Sequence, residues 1–179
     1  MKYRTTTALK QLASEIYQIN QANGWDVLSP DDWPDSHEKI RTKLMLIGTE
    51  IAEILEAYRK DDRENFEEEC ADTVIRILDL LGGLKFHAGF QVISVKEVAM
   101  DWEQPHQVGS RIFEWLCLVT DADNSLIHSK GCSFVFDLSH LLSVIFQTCD
   151  YLDMDLDAAI DKKLVKNKSR GYRHGGKKV

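Results

Sequence analysis

Between Thr49 and Gly83 the chain reads TEIAEILEAYRKDDRENFEEECADTVIRILDLLGG, and four of its carboxylates form two pairs three residues apart, Glu50 with Glu53 and Glu69 with Asp72. On a helix each residue advances about 100°, so positions i and i+3 project from one face, one turn apart. Each pair is therefore a ridge on its own helix, and two antiparallel helices would bring the ridges face to face. Four carboxylates at close range repel one another and are pushed toward protonation unless a cation sits between them. Hard oxygen donors on a helical scaffold suit Mg²⁺, with Mn²⁺ as the second choice. Spacing alone also allows a solvated acidic face, the ordinary fate of a charge run. Arg76 and Asp79 extend the second ridge to 69, 72, 76 and 79, a polar seam in an otherwise apolar segment. Glu56, Glu64, Glu67 and Glu68 read as surface charge.

A basic tail, KKLVKNKSRGYRHGGKKV, could serve phosphate groups that carboxylates and a metal leave unattended. Lys163, Asn167 and Arg170 fall at i, i+4 and i+7, one face of a helix, and Arg offers a bidentate fork where Lys offers a point charge. His174 and Lys177 follow further on; a frayed basic terminus is the plainer reading of the whole tail. A base needs an apolar or aromatic slot. Trp25 and Trp33, in the Gly- and Pro-containing stretch NGWDVLSPDDWPD, are the candidates, with packing over the core as the alternative. Asn20 and Asn23 have the chemistry to read a base edge. Lys43, about two turns before the first acidic pair, would offset its charge, touch phosphate or lie on the surface. Asp137 and His140 form D-x-x-H inside an apolar helix and read as core or interface residues. No P-loop, GxSxG or Rossmann glycine pattern occurs, and a di-iron bundle would need two Glu-x-x-His pairs.

The elements that must position these groups are helical. Residues 6–22 carry Leu9, Leu12, Ile16 and Ile19 at helical spacing. Ser36 is placed to cap a second helix over about 37–59, and Asp62 a third over about 63–81, closed by Gly82-Gly83. The short link makes these two antiparallel neighbours. Residues 84–106 read as short helices or irregular chain. Residues 110–120 fit strand or helix, and DADNSLIHSKG reads as loop. A long apolar helix over 134–152 and a final one over 155–168, capped by Asp155, complete the chain. Only 113–119 and 132–136 leave room for a strand, so the expected fold class is all-α.

The chain has 179 residues, 44% hydrophobic and 28% charged, which is a globular profile. A net charge of -7 argues against a nonspecific nucleic-acid binder, whose surface must be basic. The four cysteines show no CxxC or zinc spacing and read as buried free thiols in a reducing compartment. The N-terminal residues lack the apolar core of a signal peptide, and no apolar run approaches the roughly 20 residues of a membrane span. The expected location is cytoplasmic.

GTEIAEILEAYR followed by NFEEECADTVIRILDL, with LMLIGTE leading into the first pair, resembles the core of the MazG-like all-α NTP pyrophosphohydrolase superfamily. Its pattern is E-x-x-E on one helix and E-x-x-D on the next, matched here by Glu50, Glu53, Glu69 and Asp72. The likeness covers about residues 8–86. KLVKNKSRGYRHGGK is similar to the ending of several members, where a proline commonly stands at the position of Gly171. The resemblance implies Mg²⁺ held by the four carboxylates, which are also the catalytic set. It implies cleavage of a (d)NTP between the α and β phosphates to (d)NMP and pyrophosphate. Trp25, Lys163, Asn167 and Arg170 are then the substrate-binding candidates. The expected organisation is one domain, a helical bundle of MazG-like type, with a metal-binding core over 1–86, extra helices over 87–152, and a C-terminal helix and basic tail over 153–179. The expected partners are the nucleotide and a second copy, as homodimer or tetramer, with no membrane and no nucleic-acid polymer. A second class stays open, a noncatalytic helical protein binding nucleotide or a partner through the acidic seam. Thr49, where many members carry a further glutamate, is the residue that favours it.

Overall fold

A computed structural model of the chain describes residues 5–33, 35–84 and 108–172. The fold is all-α. The helices are α1 (Thr6–Ala22), α2 (His37–Arg59), α3 (Arg63–Leu84), α4 (Val108–Ile127), α5 (Gly131–Tyr151) and α6 (Leu156–Lys168), with a 3₁₀ turn at Pro30–Asp32. Neither stretch that left room for a strand forms one, because both lie inside α4 and α5.

Two antiparallel hairpins, α2–α3 and α4–α5, pack on each other through α2 against α4 and α3 against α5. Arg41 pairs with Asp123 near one end of the α2–α4 seam, and Gly109 lies against the Tyr58 ring near the other. α1 and α6 close over α3. Contact with four other helices explains why α3 is buried almost all round from Cys70 to Leu84. The core spans both hairpins, with Trp115 of α4 and Phe134 of α5 fully buried. The Trp33 ring lies 5.0 Å from that of Phe134, so this tryptophan packs against the core, as the plainer of its two readings had it.

The α2–α3, α4–α5 and α5–α6 links turn on left-handed residues that are not glycine: Asp61, Ser129 and Asp153 have φ of 55°, 52° and 54°. In each case the next residue donates its N–H back across the turn: Asp62 to Ala57, Lys130 to Ser125, Met154 to Cys149. This pattern satisfies the last carbonyls of a helix. The expected caps at Asp62 and Asp155 form, accepting from Asn65 N–H and Ala158 N–H at 3.1 Å each. Ser36 takes the N-cap position of α2 without a side-chain cap bond.

Two helix ends fall elsewhere than the sequence expectation put them. α3 runs through Gly82-Gly83 to Leu84 instead of ending at them. The glycines are there for close approach: a Cβ on Gly82 would lie 2.8 Å from the Ala13 carbonyl oxygen, and one on Gly83 2.9 Å from that of Leu28. The DADNSLI stretch is the last part of α4, because Ala122, Ser125 and Leu126 continue its buried face. α5 is apolar enough, over 21 residues, to pass the length and composition test for crossing a membrane, closer than the sequence reading allowed. Here it is a core helix packed on α3 and α4. Of the cysteines, Cys70 and Cys149 are buried as expected, whereas Cys117 and Cys132 are exposed.

Candidate metal centre

The α2–α3 hairpin brings one carboxylate from the first ridge to both of the second. Oxygens of Glu50, Glu69 and Asp72 all lie within 4.8 Å of one another. Their positions follow from the helices: Glu50 sits among Ile47, Ile51 and Ile54 on the buried side of α2, only 8% exposed. Glu69 and Asp72, one turn apart on α3, face it across the seam. Glu53 is exposed, and its carboxylate is not among the three that meet. It still acts on them through its charge, raising both Glu50 and Glu69.

Burial pushes the Glu50 carboxyl up, opposed by the Arg76 guanidinium and reinforced by Asp72 and Glu53. The Arg76 Nε donates to Glu50 Oε1 at 3.1 Å. Glu69 is raised to about 7, first by burial and then by Asp72, Glu53 and Glu50. Among the described residues Glu69 makes no ion pair, which is why its neighbours' negative charge tells on it most. Like charges held this close are the condition under which a carboxylate keeps its proton, and a cation relieves it.

A cation from the chain itself stands beside the cluster. Lys163 of α6, 9% exposed at its side chain, places Nζ 2.6 Å from Asp72 Oδ2 and also pairs with Glu68. Burial lowers the Lys163 pKa, but the bonds to Asp72 and Glu68 outweigh it and the net shift is upward. Glu68 accepts from Lys166 as well, at 3.1 Å. The two lysines hold its carboxyl down at about 2. Glu68 was read from sequence as surface charge. The missed signal was its i, i+4 spacing to Asp72, which puts it on the same side of α3.

The seam continues along α3 as the 69, 72, 76, 79 spacing implied. Asp79 is 5% exposed and accepts from Asn20 Nδ2 at 2.8 Å and Lys43 Nζ at 3.0 Å. Lys43 therefore offsets Asp79 and not the first acidic pair. Asn23 Nδ2 donates to the Asn167 carbonyl at 3.0 Å, tying α6 to the end of α1. Beyond α6 the Tyr172 ring occupies the space a side chain on Gly24 would need, at 2.0 Å from an ideal Cβ. Gly24, at φ +75°, suits the turn on both counts. Trp25 is half-buried in the same turn, and Arg170 is half-buried just past α6. His174 and Lys177 lie outside the described residues. Asp137 accepts from Ser125 at 2.9 Å, and the His140 ring lies tilted against that of Phe136, 6.2 Å between centroids, a structural arrangement consistent with the sequence reading.

Beside the acidic cluster, between α3 and α6, is a groove of about 520 Å³. Lys162, Lys163, Lys166 and Ser169 line it with four carboxylates, Glu64, Glu67, Glu68 and Asp155.

The donor set fits a hard divalent cation. It consists only of carboxylate oxygens, they are close enough to share one ion, and the two pushed upward gain by having one. No protein-family model matches the chain, and neither a curated protein nor a solved structure does.

Proposed function

We propose that the protein is a metal-dependent nucleoside triphosphate pyrophosphohydrolase of the MazG-like all-α type, taking (d)NTP to (d)NMP and pyrophosphate. The observation that carries the reading is the meeting of Glu50, Glu69 and Asp72 within 4.8 Å, with a buried lysine against them. The motif resemblance supplies the reaction, and the paired ridges of α2 and α3 are what it needs.

Glu50, Glu69 and Asp72 would hold Mg²⁺, with Mn²⁺ able to substitute. When bound, such an ion offsets phosphate charge and lowers the pKa of water. Arg76 orients Glu50, and burial keeps bulk water from diluting the field at these groups. Glu53, exposed beside the cluster, would orient an attacking water and take its proton. On this reading Lys163, Asn167 and Arg170 would bind the outer phosphates, and Trp25 with Asn20 and Asn23 would meet the nucleoside. The location that goes with this activity is cytoplasmic. A second copy covering the exposed Met45 and Phe113 would make the homodimer or tetramer.

The test is pyrophosphate release from a panel of canonical and modified (d)NTPs, in Mg²⁺ and in EDTA, for wild type, Asp72→Asn and Glu69→Gln. Metal-dependent release lost in both variants supports the reading and names the substrate. No turnover of any nucleotide, with both variants folded like the wild type, would leave the noncatalytic binding class that Thr49 favours.

A further inference from the structure

Asp79 decides which way an amide on the neighbouring helix points. Its carboxylate, buried on α3, accepts from Lys43 Nζ at 3.0 Å through one oxygen and from Asn20 Nδ2 at 2.8 Å through the other. A carboxylate paired with a lysine is acceptor-only, so the Asn20 amide can meet it only with its NH₂ group, and Oδ1 is turned the other way. One turn further along α1, Asn23 Nδ2 donates to the Asn167 carbonyl at 3.0 Å, which fixes that amide in the same sense. Among the described residues neither Asn20 Oδ1 nor Asn23 Oδ1 accepts a hydrogen bond. A third amide oxygen, Asn167 Oδ1, is buried without a partner.

We propose that the Asn20 and Asn23 oxygens recognise a nucleobase through an exocyclic amino group, so that the protein selects amino-bearing bases (cytosine, adenine, guanine) over uracil and thymine. The inference rests on the seam being a nucleotide site. Placement along α3 supports it. Asp79 lies two turns, about 10 Å, beyond Asp72 on the ridge that runs through 69, 72, 76 and 79. That is comparable with the reach of an extended nucleotide from its α-phosphate to the amino edge of its base. Phosphates at the acidic cluster therefore bring the base to Asn20. Trp25 belongs to the same place: its N–H donates to the Asn20 carbonyl at 3.0 Å, which sets an aromatic side chain beside the two amides.

Donor and acceptor chemistry sets the preference. An amino group brings two N–H donors and can serve two acceptors a turn apart. Uracil and thymine carry a carbonyl at that position, and an oxygen facing an amide oxygen leaves both unpaired, which a polar site rejects strongly. An asparagine alone could turn its amide over and donate instead. Asp79 forbids this, because the turned amide would set oxygen against carboxylate. Asp79 is thus a positioning residue, and Asn20 is the residue that reads the base. A buried ion pair adds little to stability by itself, so orienting Asn20 gives the last acid of the seam a use.

The test compares nucleotides that differ at one group, cytosine against uracil and adenine against hypoxanthine, each as ribo- and deoxyribonucleotide. Pyrophosphate release from the triphosphates gives kcat/KM, and calorimetry with the monophosphates in Mg²⁺ gives affinity. The wild type should favour the amino member of the pair it uses best by about tenfold or more in both measurements. Asp79→Asn, which frees the Asn20 amide to turn, should bring that ratio close to one while the acidic cluster keeps its Mg²⁺ affinity. Asn20→Ala should do the same with Lys43 still paired, and serves if Asp79→Asn does not fold. If Asp79 and Asn20 only tie α1 to α3, both members of each pair weaken equally and the ratio is unchanged, which overturns the proposal. A wild-type ratio near one, or a preference for the oxo member, also overturns it and leaves the reaction standing. Amino-selective binding of monophosphates with no turnover of any triphosphate upholds the recognition site and overturns the reaction alone. No binding of any nucleotide overturns both.

Discussion

Lys163 Nζ lies 2.6 Å from Asp72 Oδ2, so the last helix provides a counter-ion to one of the three carboxylates that meet between α2 and α3. The same ammonium is shared with Glu68. This single side chain joins the basic tail to the acidic core, two regions of opposite charge that the sequence keeps about ninety residues apart.

Lys163→Met should have opposite effects with and without metal. In EDTA it leaves Asp72 and Glu68 short of a cation and should cost about 1–3 kcal/mol, below the full cost of breaking a buried pair because both carboxylates keep some water. Mg²⁺ should bind about tenfold more tightly, because no ammonium competes for Asp72. Urea denaturation in EDTA and Mg²⁺ calorimetry check the two halves. Unchanged Mg²⁺ affinity would mean that Lys163 does not occupy a position the cation needs.

The acidic cluster should give the metal-free protein a distinctive pH dependence. Glu69 titrates at about 7, above the ordinary carboxylate value of 4.5. Between those values the folded chain holds a proton that the unfolded chain has released, so stability from this group falls as pH rises through the window. Thermal unfolding in EDTA at pH 5 and pH 8 should show that fall in the wild type and a smaller one in Glu69→Gln. Mg²⁺ should remove most of the difference. A wild-type profile indistinguishable from that of Glu69→Gln would place the Glu69 titration elsewhere.

Ser129→Gly should stabilise the fold. Ser129 ends α4 at φ 52°, a left-handed conformation costing roughly 1–2 kcal/mol for a residue with a Cβ. Glycine removes that cost and returns part of it as chain entropy, roughly 0.5–1 kcal/mol. The expected net gain is up to about 1 kcal/mol by urea denaturation. A loss would show that the serine side chain contributes more than the backbone strain takes away.

Gly82→Ala should do the reverse. The added methyl would meet the Ala13 carbonyl oxygen at 2.8 Å, a backbone atom that cannot swing away. Separating α1 from α3 to admit it should cost about 1–3 kcal/mol. A neutral substitution would mean that α1 moves freely over α3.

That glycine also shows what the sequence could and could not convey. Helical spacing placed α1 and α2 to within a residue and paired the two acidic ridges, because apolar periodicity and i, i+3 geometry are local properties. Gly82-Gly83 was read as a stop because glycine ends helices. Only the packed neighbour α1 reveals that it is there to let backbones approach. The converse error came at DADNSLI, where polar residues suggested a loop although every third or fourth residue was destined for α5 or α2. The true links between α2 and α3, α4 and α5, and α5 and α6 carry Asp61, Ser129 and Asp153, none of which announces a left-handed turn as glycine does.

In the site, four acidic residues were legible and three of them meet. Glu53 and Glu50 share a ridge, but α2 rotates Glu53 to solvent. Lys163 was legible as a cation on one face of α6, whereas its partners Asp72 and Glu68 depend on how α6 docks on α3, which periodicity does not encode.

The most direct measurement is hydrolysis of a mixture of the common ribo- and deoxyribonucleoside triphosphates in H₂¹⁸O with Mg²⁺, followed by mass spectrometry of the products. Attack at the α-phosphorus puts the label in a nucleoside monophosphate and leaves pyrophosphate unlabelled, and Asp72→Asn should abolish it. Label in pyrophosphate or phosphate, or no product at all from a protein that binds Mg²⁺, would contradict the pyrophosphohydrolase reading.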